Sequence, residues 1–240
     1  MGVQFTIDCF SEGELAQSLR AAIELGGTRE RAQRHSPRLS YGRHAGPPRV
    51  NARPAAVLVL VIPYDQRWHI VLTERQPNLS AHAGQVSLPG GAIEAGESSC
   101  QAALREAEEE LGVCSNGWQW LGQLSDIYVF NSNFAVTPHV ALAETLPDFR
   151  PNPAEVAALF QLPLDELISA EQTAGTYLIQ RGQLKFSAPC LHWQSRSVWG
   201  ATWVILGEFI DVLVRACRTR QSAGVSVSQH KSPRSGKAEQ

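Results

Sequence analysis

The chain alternates between β-rich apolar runs and helical patterns. Residues 55–62 (AAVLVLVI), flanked by prolines, predict a buried strand, and residues 69–73 (HIVLT) predict its partner. Residues 64–67 (YDQR) between them predict a hairpin turn. Further strands are predicted over residues 118–124, 134–142 and 176–186.

Helical spacing is found in four places. Residues 6–26 place apolar side chains at steps of three and four before a Gly-Gly stop, and residues 98–111 form the clearest helix. Residues 164–169 predict a short helical piece, and residues 203–217 predict a helix with one apolar stripe. That stripe predicts packing on the sheet, with a dimer seam as the alternative; it comprises Trp203, Leu206, Ile210, Leu213 and Cys217. Mixed strands and helices indicate an α+β fold, an α/β/α sandwich.

Composition shifts suggest three parts. Residues 1–54 hold the first helix and a basic, irregular lead-in, with seven arginines between residues 29 and 53. We interpret that lead-in as a solvated linker; the alternative is that some of its arginines reach an anionic substrate or an acidic partner. Residues 55–218 form the main domain. Residues 219–240 are polar and lack aromatics, which predicts a disordered tail.

The overall composition excludes several classes of protein. The chain has 240 residues, 43% hydrophobic and 18% charged, and a net charge of -2, which gives no reason to expect nucleic acid as a partner. Its five cysteines are scattered without a C-x-x-C pair, which argues against a disulfide framework or a zinc site and for a reducing compartment. With no signal-peptide pattern and no apolar run of about 20 residues, we expect a cytoplasmic protein that does not enter the membrane.

The helix over residues 98–111 carries the candidate chemistry. Ser98 and Gln101 predict a capping box, and Gly112 predicts the end of the helix. Glu106, Glu109 and Glu110 share a face at spacing i, i+3, i+4, where they repel one another unless a cation sits among them.

A glutamate-rich face alone would be a solvated surface, but a divalent cation such as Mg²⁺ takes such oxygen ligands, holds a pyrophosphate and activates water. Arg105 lies next to Glu109 on the helix surface and could orient these carboxylates. Gly90 and Gly91 allow the backbone a close approach to metal or phosphate.

Fixed spacing distinguishes this segment from an ordinary acidic helix. Gly91, Glu97, Arg105, Glu106, Glu109, Glu110 and Gly112 follow G-x5-E-x7-R-E-U-x-E-E-x-G-U, where U is bulky and apolar, with Ala107 at one U position. This pattern resembles the Nudix box, and the resemblance extends over residues 57–215. It implies a mixed β-sheet between helices, with the box as loop-helix-loop, and cleavage of a phosphoanhydride with Mg²⁺ or Mn²⁺.

The resemblance also implies roles for individual residues. Glu106, Glu109, Glu110 and the backbone of Gly91 would ligate the metal, with Glu97 and Arg105 in support. The water would be activated by one of these glutamates or by an acid outside the box such as Glu155.

Residues 71–91 resemble a second motif, L-L-T-x-R-(S/A)-x3-R-x3-G-x3-F-P-G-G, of the coenzyme A diphosphatase branch of this family. Leu72, Thr73, Arg75, Gly84, Pro89, Gly90 and Gly91 match, whereas Val71, Gln76, Ser80 and Leu88 depart from it. Residues 134–138, 155–156 and 199–202 resemble later segments of the branch. The resemblance implies substrate contacts for Arg75, His82, Gly84 and Gly90, although His82 could instead pack beneath the box.

Three functions are consistent with these residues. The first is hydrolysis of coenzyme A or its derivatives to 3′,5′-ADP and 4′-phosphopantetheine. The second is another Nudix specificity, for ADP-ribose, a dinucleotide or a nucleoside triphosphate, which Ser80 in place of the motif arginine keeps open. The third is a non-catalytic binding module, which the retained carboxylates disfavour. We expect a small nucleoside-diphosphate substrate, and self-association of the chain as a homodimer is the remaining partner hypothesis.

Overall fold

The computed structural model describes residues 7–26, 47–78, 84–170, 175–181 and 183–228. The helices are α1 (Glu12–Glu24), α2 (Ser99–Leu111), α3 (Leu164–Ala170) and α4 (Ala201–Ser228). The strands are β1 (Arg53–Tyr64), β2 (Arg67–Arg75), β3 (Val86–Ser87), β4 (Gly90–Ala92), β5 (Trp118–Gln123), β6 (Ile127–Val129), β7 (Phe134–Ala143), β8 (Val156–Pro163), β9 (Gly175–Arg181), β10 (Leu184–Trp193) and β11 (Arg196–Trp199).

Strand β1 lies at the centre of a mixed sheet. It pairs antiparallel with β2 and β4 and parallel with β7. The strand order is β3-β2-β1-β7-β5, with β8 on β2 and β6 on β7. The predicted β1–β2 hairpin is confirmed: Asp65 and Gln66 at its tip have φ of 48° and 59°, the backbone geometry of a tight two-residue turn.

The sheet is covered on both faces, because side chains alternate along β1. Leu58, Leu60 and Ile62 pack with Ala103 and Leu111 of α2. Residues of the opposite face belong to a second cluster that includes Val59 and Val61 of β1, Leu15 and Leu19 of α1, and Trp203 and Phe209 of α4. The predicted α/β/α sandwich is confirmed.

Helix α4 resolves the two interpretations of its apolar stripe. All five stripe residues are buried within the chain, from Trp203 to Cys217, and belong to the core cluster shared with the sheet. The stripe is therefore a packing face, and the dimer-seam alternative is wrong for these side chains. Among the described helices, none has both the length and the apolarity needed to cross a bilayer.

Two sequence predictions are wrong. The pattern over residues 176–186 predicts one strand, but these residues contribute to an antiparallel hairpin of β9 and β10, with Leu184 opposite Arg181. Gly182 stands between the two strands in the sequence, and a glycine inside a strand pattern commonly marks a turn.

The predicted disordered tail begins too early, because α4 continues through residues 219–228. Arg220 anchors this extension: its guanidinium lies 4.4 Å from the Phe10 ring centroid and 3.4 Å from Glu14 Oε2. Residues 229–240, the rest of that tail, and residues 27–46, most of the basic lead-in, lie outside the described residues.

Candidate active site

The ends of α2 are fixed by local contacts, as the sequence predicts. The Ser98 N–H donates to Gln101 Oε1 (2.8 Å), and the Gln101 N–H donates to Ser98 Oγ (3.3 Å). Gly112 closes the helix with φ 62°, and its N–H donates to the Glu108 carbonyl. A Cβ at Gly112 would overlap the Arg150 carbonyl oxygen, so this position accepts glycine alone without rearrangement.

The three glutamates of the predicted acidic face differ in burial. The Glu110 side chain is 2% exposed, Glu106 is 17% exposed and Glu109 is 57% exposed. Glu106 and Glu110 line a cavity, whereas Glu109 lies on the solvent side of the helix next to Arg105. The exposed fraction of the side chain therefore increases along this face from Glu110 through Glu106 to Glu109.

Glu110 is a buried acid with only part of its hydrogen-bonding capacity used. Its Oε1 accepts from Arg75 Nη1 at 3.3 Å, and its Oε2 has no partner in the described part of the chain. Burial raises the pKa of Glu110 to about 8, with the neighbouring Glu106 and Glu155 adding to the rise. Arg75 and the backbone N–H of Gly90 oppose it. Burial likewise raises the pKa of Glu106.

Arg105 ties the carboxylates of the box together. Its Nη2 and Nε donate to the two carboxylate oxygens of Glu97 at 2.9 and 3.1 Å. Its Nη1 donates to Glu106 (3.1 Å) and Glu109 (3.2 Å), and Nη2 also reaches the carbonyl oxygen of Ala92. These bonds raise the pKa of Arg105 and lower that of Glu97. One planar guanidinium thus spans helix, loop and strand.

The glycines before the box permit a close approach between backbone and side chain. Gly91 pairs with Ala56 of β1, and a Cβ on Gly91 would overlap the Glu106 carboxylate. A Cβ on Gly90, where φ is 153°, would overlap the Ala56 carbonyl oxygen. Both positions bring the loop backbone directly against the acidic helix face.

A cavity of about 580 Å³ opens beside these groups. Its walls come from β1, β7, the start of α4, the box and the loops between them. The residues that line it include Arg53, Ala55, Val57, Arg75, Gly90, Gly91, Glu106, Glu110, Asn131, Ser132, Phe134, Val136, Glu155 and Trp199. Arg75 and Glu155, each remote from the box in sequence, therefore join Glu106 and Glu110 at one cavity.

The other predicted substrate contacts have different outcomes. Gly84 is absent from its lining; with φ 66° it donates its N–H to the Arg75 carbonyl and so closes a loop. His82 and Ser80 lie outside the described residues. Phe134 and Trp199 were not predicted from the sequence as residues of the cavity wall. Arg53 was assigned only to the basic lead-in and not to a particular site. The resembling segments 134–138 and 199–202 were the available signal for the two aromatic residues.

The donor set fits a hard divalent cation. Among the described residues, no three His, Cys, Asp or Glu side chains already form a metal cage. Glu97, Glu106 and Glu109 form ion pairs with Arg105 instead. Carboxylate oxygens are nevertheless the ligands such ions take. A bound cation would use the buried, unpartnered Glu110 Oε2 and the Glu106 carboxylate, which lies directly against the backbone of Gly91.

Comparison with known proteins identifies the family. The family model of the NUDIX domain matches residues 52–181, more than half of the chain. Nudix hydrolase 3 of Caenorhabditis elegans is 31% identical over 177 residues, which cover 66% of this chain and 72% of that protein. The uncharacterized Nudix hydrolase NudL of Pectobacterium atrosepticum is 39% identical over 157 residues, 65% of this chain and 80% of the relative.

Among solved structures, a Nudix hydrolase from M. smegmatis, RenU, aligns with a TM-score of 0.44 and 17% identity, covering 73% of this chain and 88% of that one. Members of this family generally use divalent metal ions. The matched domain and the two relatives together establish that the chain belongs to the Nudix hydrolase family.

Proposed function

We propose that this protein hydrolyses the diphosphate linkage of coenzyme A or its derivatives, with Mg²⁺ or Mn²⁺, to 3′,5′-ADP and 4′-phosphopantetheine. The observation that carries the proposal is the contact between Arg75 and Glu110, 3.3 Å apart inside the cavity. Arg75 belongs to the motif that resembles the coenzyme A branch, and Glu110 belongs to the Nudix box. The two motifs that the sequence carries therefore contribute neighbouring side chains, Arg75 and Glu110, to one site.

The chain's own residues divide the chemistry between them. Glu106, Glu109, Glu110 and the backbone of Gly91 would hold the metal, which neutralises diphosphate charge and lowers the pKa of water when bound. Arg105 keeps the carboxylates oriented through its ion pairs. Arg75 offers a planar guanidinium to a phosphoryl oxygen.

Glu155 supplies a carboxylate to the same cavity from outside the box. It accepts the proton of the attacking water while the bond between phosphorus and the bridging oxygen breaks. The bridging oxygen leaves with one product, and the water oxygen stays on the other.

A substrate panel tests this function. Purified protein with Mg²⁺ or Mn²⁺ is incubated with coenzyme A, ADP-ribose, a dinucleotide and a nucleoside triphosphate, and products are separated by chromatography and weighed by mass spectrometry. We expect 3′,5′-ADP and 4′-phosphopantetheine from coenzyme A. Efficient turnover of another diphosphate with none of coenzyme A would refute the proposal.

A matched pair of variants tests the site. Glu110→Gln should lower the rate by several orders of magnitude, because it removes a charged metal ligand. Glu108→Gln is the control: Glu108 lies on the same helix, but it accepts from the Ser115 N–H (2.7 Å), which the glutamine oxygen can also do. Unchanged activity in Glu110→Gln would remove Glu110 from the mechanism.

One observation favours a different Nudix substrate. Ser80 stands where the coenzyme A motif has an arginine, so a guanidinium suited to a phosphate is missing at that position. The same panel separates the two specificities by their kcat/KM values.

A further inference from the structure

The floor of the cavity is a strip of apolar side chains with a cation at one end. Arg53, Ala55 and Val57 alternate along β1 and therefore point to the same face; all three line the cavity. Phe134 and Val136 of the parallel neighbour β7 lie beside them, with Arg53 opposite Phe134 and Ala55 opposite Val136 in the register.

The two ends of this strip differ in chemistry. Val57 pairs with Gly90, next to the box carboxylates. Arg53 lies four residues away along β1, about 13 Å at 3.3 Å per residue. Between them the strip offers no charge. A ligand whose diphosphate is held at the carboxylate end therefore reaches Arg53 with a more distant part.

Arg53 is held in position by contacts that leave it without an ion pair in the described part of the chain. Its guanidinium lies 4.1 Å from the Phe134 ring centroid, and its backbone N–H donates to the Asn133 carbonyl at 2.9 Å. None of the ion pairs among the described residues involves Arg53. Asn131 and Ser132 line the same cavity and add hydrogen-bonding groups. Because Arg53 is exposed and its guanidinium lies over the Phe134 ring, the N–H groups at the edge of the guanidinium can donate to an anion.

We propose that Arg53 binds a phosphomonoester that the substrate carries in addition to its diphosphate, namely the 3′-phosphate of coenzyme A. The inference rests on the proposed function and deepens it. Arg53 supplies, from the first residue of β1, a cation for the substrate that the chain lacks at Ser80. One arginine of the basic lead-in thereby acts on an anionic substrate.

The test compares substrates that differ only in this group. kcat and KM are measured for coenzyme A and for dephospho-coenzyme A, which lacks the 3′-phosphate. Arg53→Gln should raise KM for coenzyme A about tenfold, the effect of losing one charge-assisted contact at a partly exposed site. The ratio of kcat/KM for the two substrates should fall by the same factor.

A matched control exists in Arg49, whose guanidinium lies 4.5 Å from the Phe130 ring centroid but does not line the cavity. Arg49→Gln should leave the substrate ratio as in the wild type. A fall in kcat/KM of Arg53→Gln that is equal for both substrates would overturn the inference and make Arg53 part of a structural stack.

Binding measured without turnover separates this inference from the proposed function. Calorimetry with 3′,5′-ADP and with 5′-AMP should show tighter binding of 3′,5′-ADP to the wild type, and Arg53→Gln should abolish the difference. If coenzyme A is not hydrolysed yet this preference depends on Arg53, the phosphomonoester site stands and the proposed substrate fails. If Arg53→Gln retains the full preference, Arg53 does not bind the phosphate.

Discussion

Replacing Glu110 with glutamine should destroy activity and yet stabilise the metal-free protein at alkaline pH. Glu110 is 2% exposed, and burial raises its pKa from 4.5 to about 8. The folded state thus retains a proton that the unfolded state has lost between these pH values. Stability therefore falls as the pH rises through this window and is fully present only below it.

The magnitude follows from the linkage relation. Each pH unit within the window costs about 1.4 kcal/mol, so the ionised carboxylate destabilises the fold by up to about 4 kcal/mol at pH 8. Glutamine has nearly the same shape and no charge to bury. For a chain of this length that difference corresponds to a rise in Tm on the order of 10 °C.

Thermal and urea denaturation of the wild type, Glu110→Gln and the control Glu108→Gln, all in EDTA between pH 5 and pH 8.5, measure the effect. The wild type and Glu110→Gln should have equal stability near pH 5 and diverge above it, while Glu108→Gln should follow the wild type. Adding Mn²⁺ should restore the wild type more than Glu110→Gln. If Glu110→Gln is the less stable protein at pH 8 in EDTA, the ion pair with Arg75 outweighs desolvation and the reasoning fails.

Three other substitutions test the geometry of the box. Gly91→Ala should lower kcat/KM about a hundredfold with little change in Tm, because its Cβ would displace the Glu106 carboxylate; wild-type kinetics would contradict the close approach. Arg105→Lys should lower kcat tenfold or more, since a point charge does not replace bonds to three carboxylates; an unchanged kcat would show that orientation is immaterial. Gly112→Ala should cost about 2 kcal/mol or more in urea denaturation, because φ is 62° and a carbonyl blocks the Cβ. Gly13→Ala in α1, where nothing lies within 4 Å, should instead be neutral or stabilising, and equal losses in both would contradict this account.

Locally encoded features could be predicted from the sequence. The ends of α2 depend on Ser98, Gln101 and Gly112, which lie within the helix or directly next to it, and they were predicted to within a residue. The β1–β2 turn is similarly local. Helical spacing also predicted that Glu106, Glu109 and Glu110 share one face of α2. It could not predict that these three side chains are buried to different extents, because their burial depends on where the sheet lies.

Features that depend on long-range register were missed. Strand β8 was not predicted, because its burial pattern follows from pairing with β2 and not from a strict alternation in its own residues. Arg53 and Phe134 are far apart in sequence and meet only through the parallel pairing of β1 with β7. The floor of the cavity, which Arg53 and Phe134 help to form, therefore depends on how the strands of the sheet are paired.

The packing of α1 and α4 affects how this protein can be shortened. Leu15 and Leu19 of α1, and Trp203 and Phe209 of α4, are fully buried in the core cluster that supports one face of the sheet. The family match, residues 52–181, includes neither helix. A recombinant fragment cut to the matched residues would expose that whole face to water and should aggregate. The smallest piece that folds must therefore retain both helices, and fusion tags or split-protein designs are better placed outside α1 and α4 than at the edges of the match.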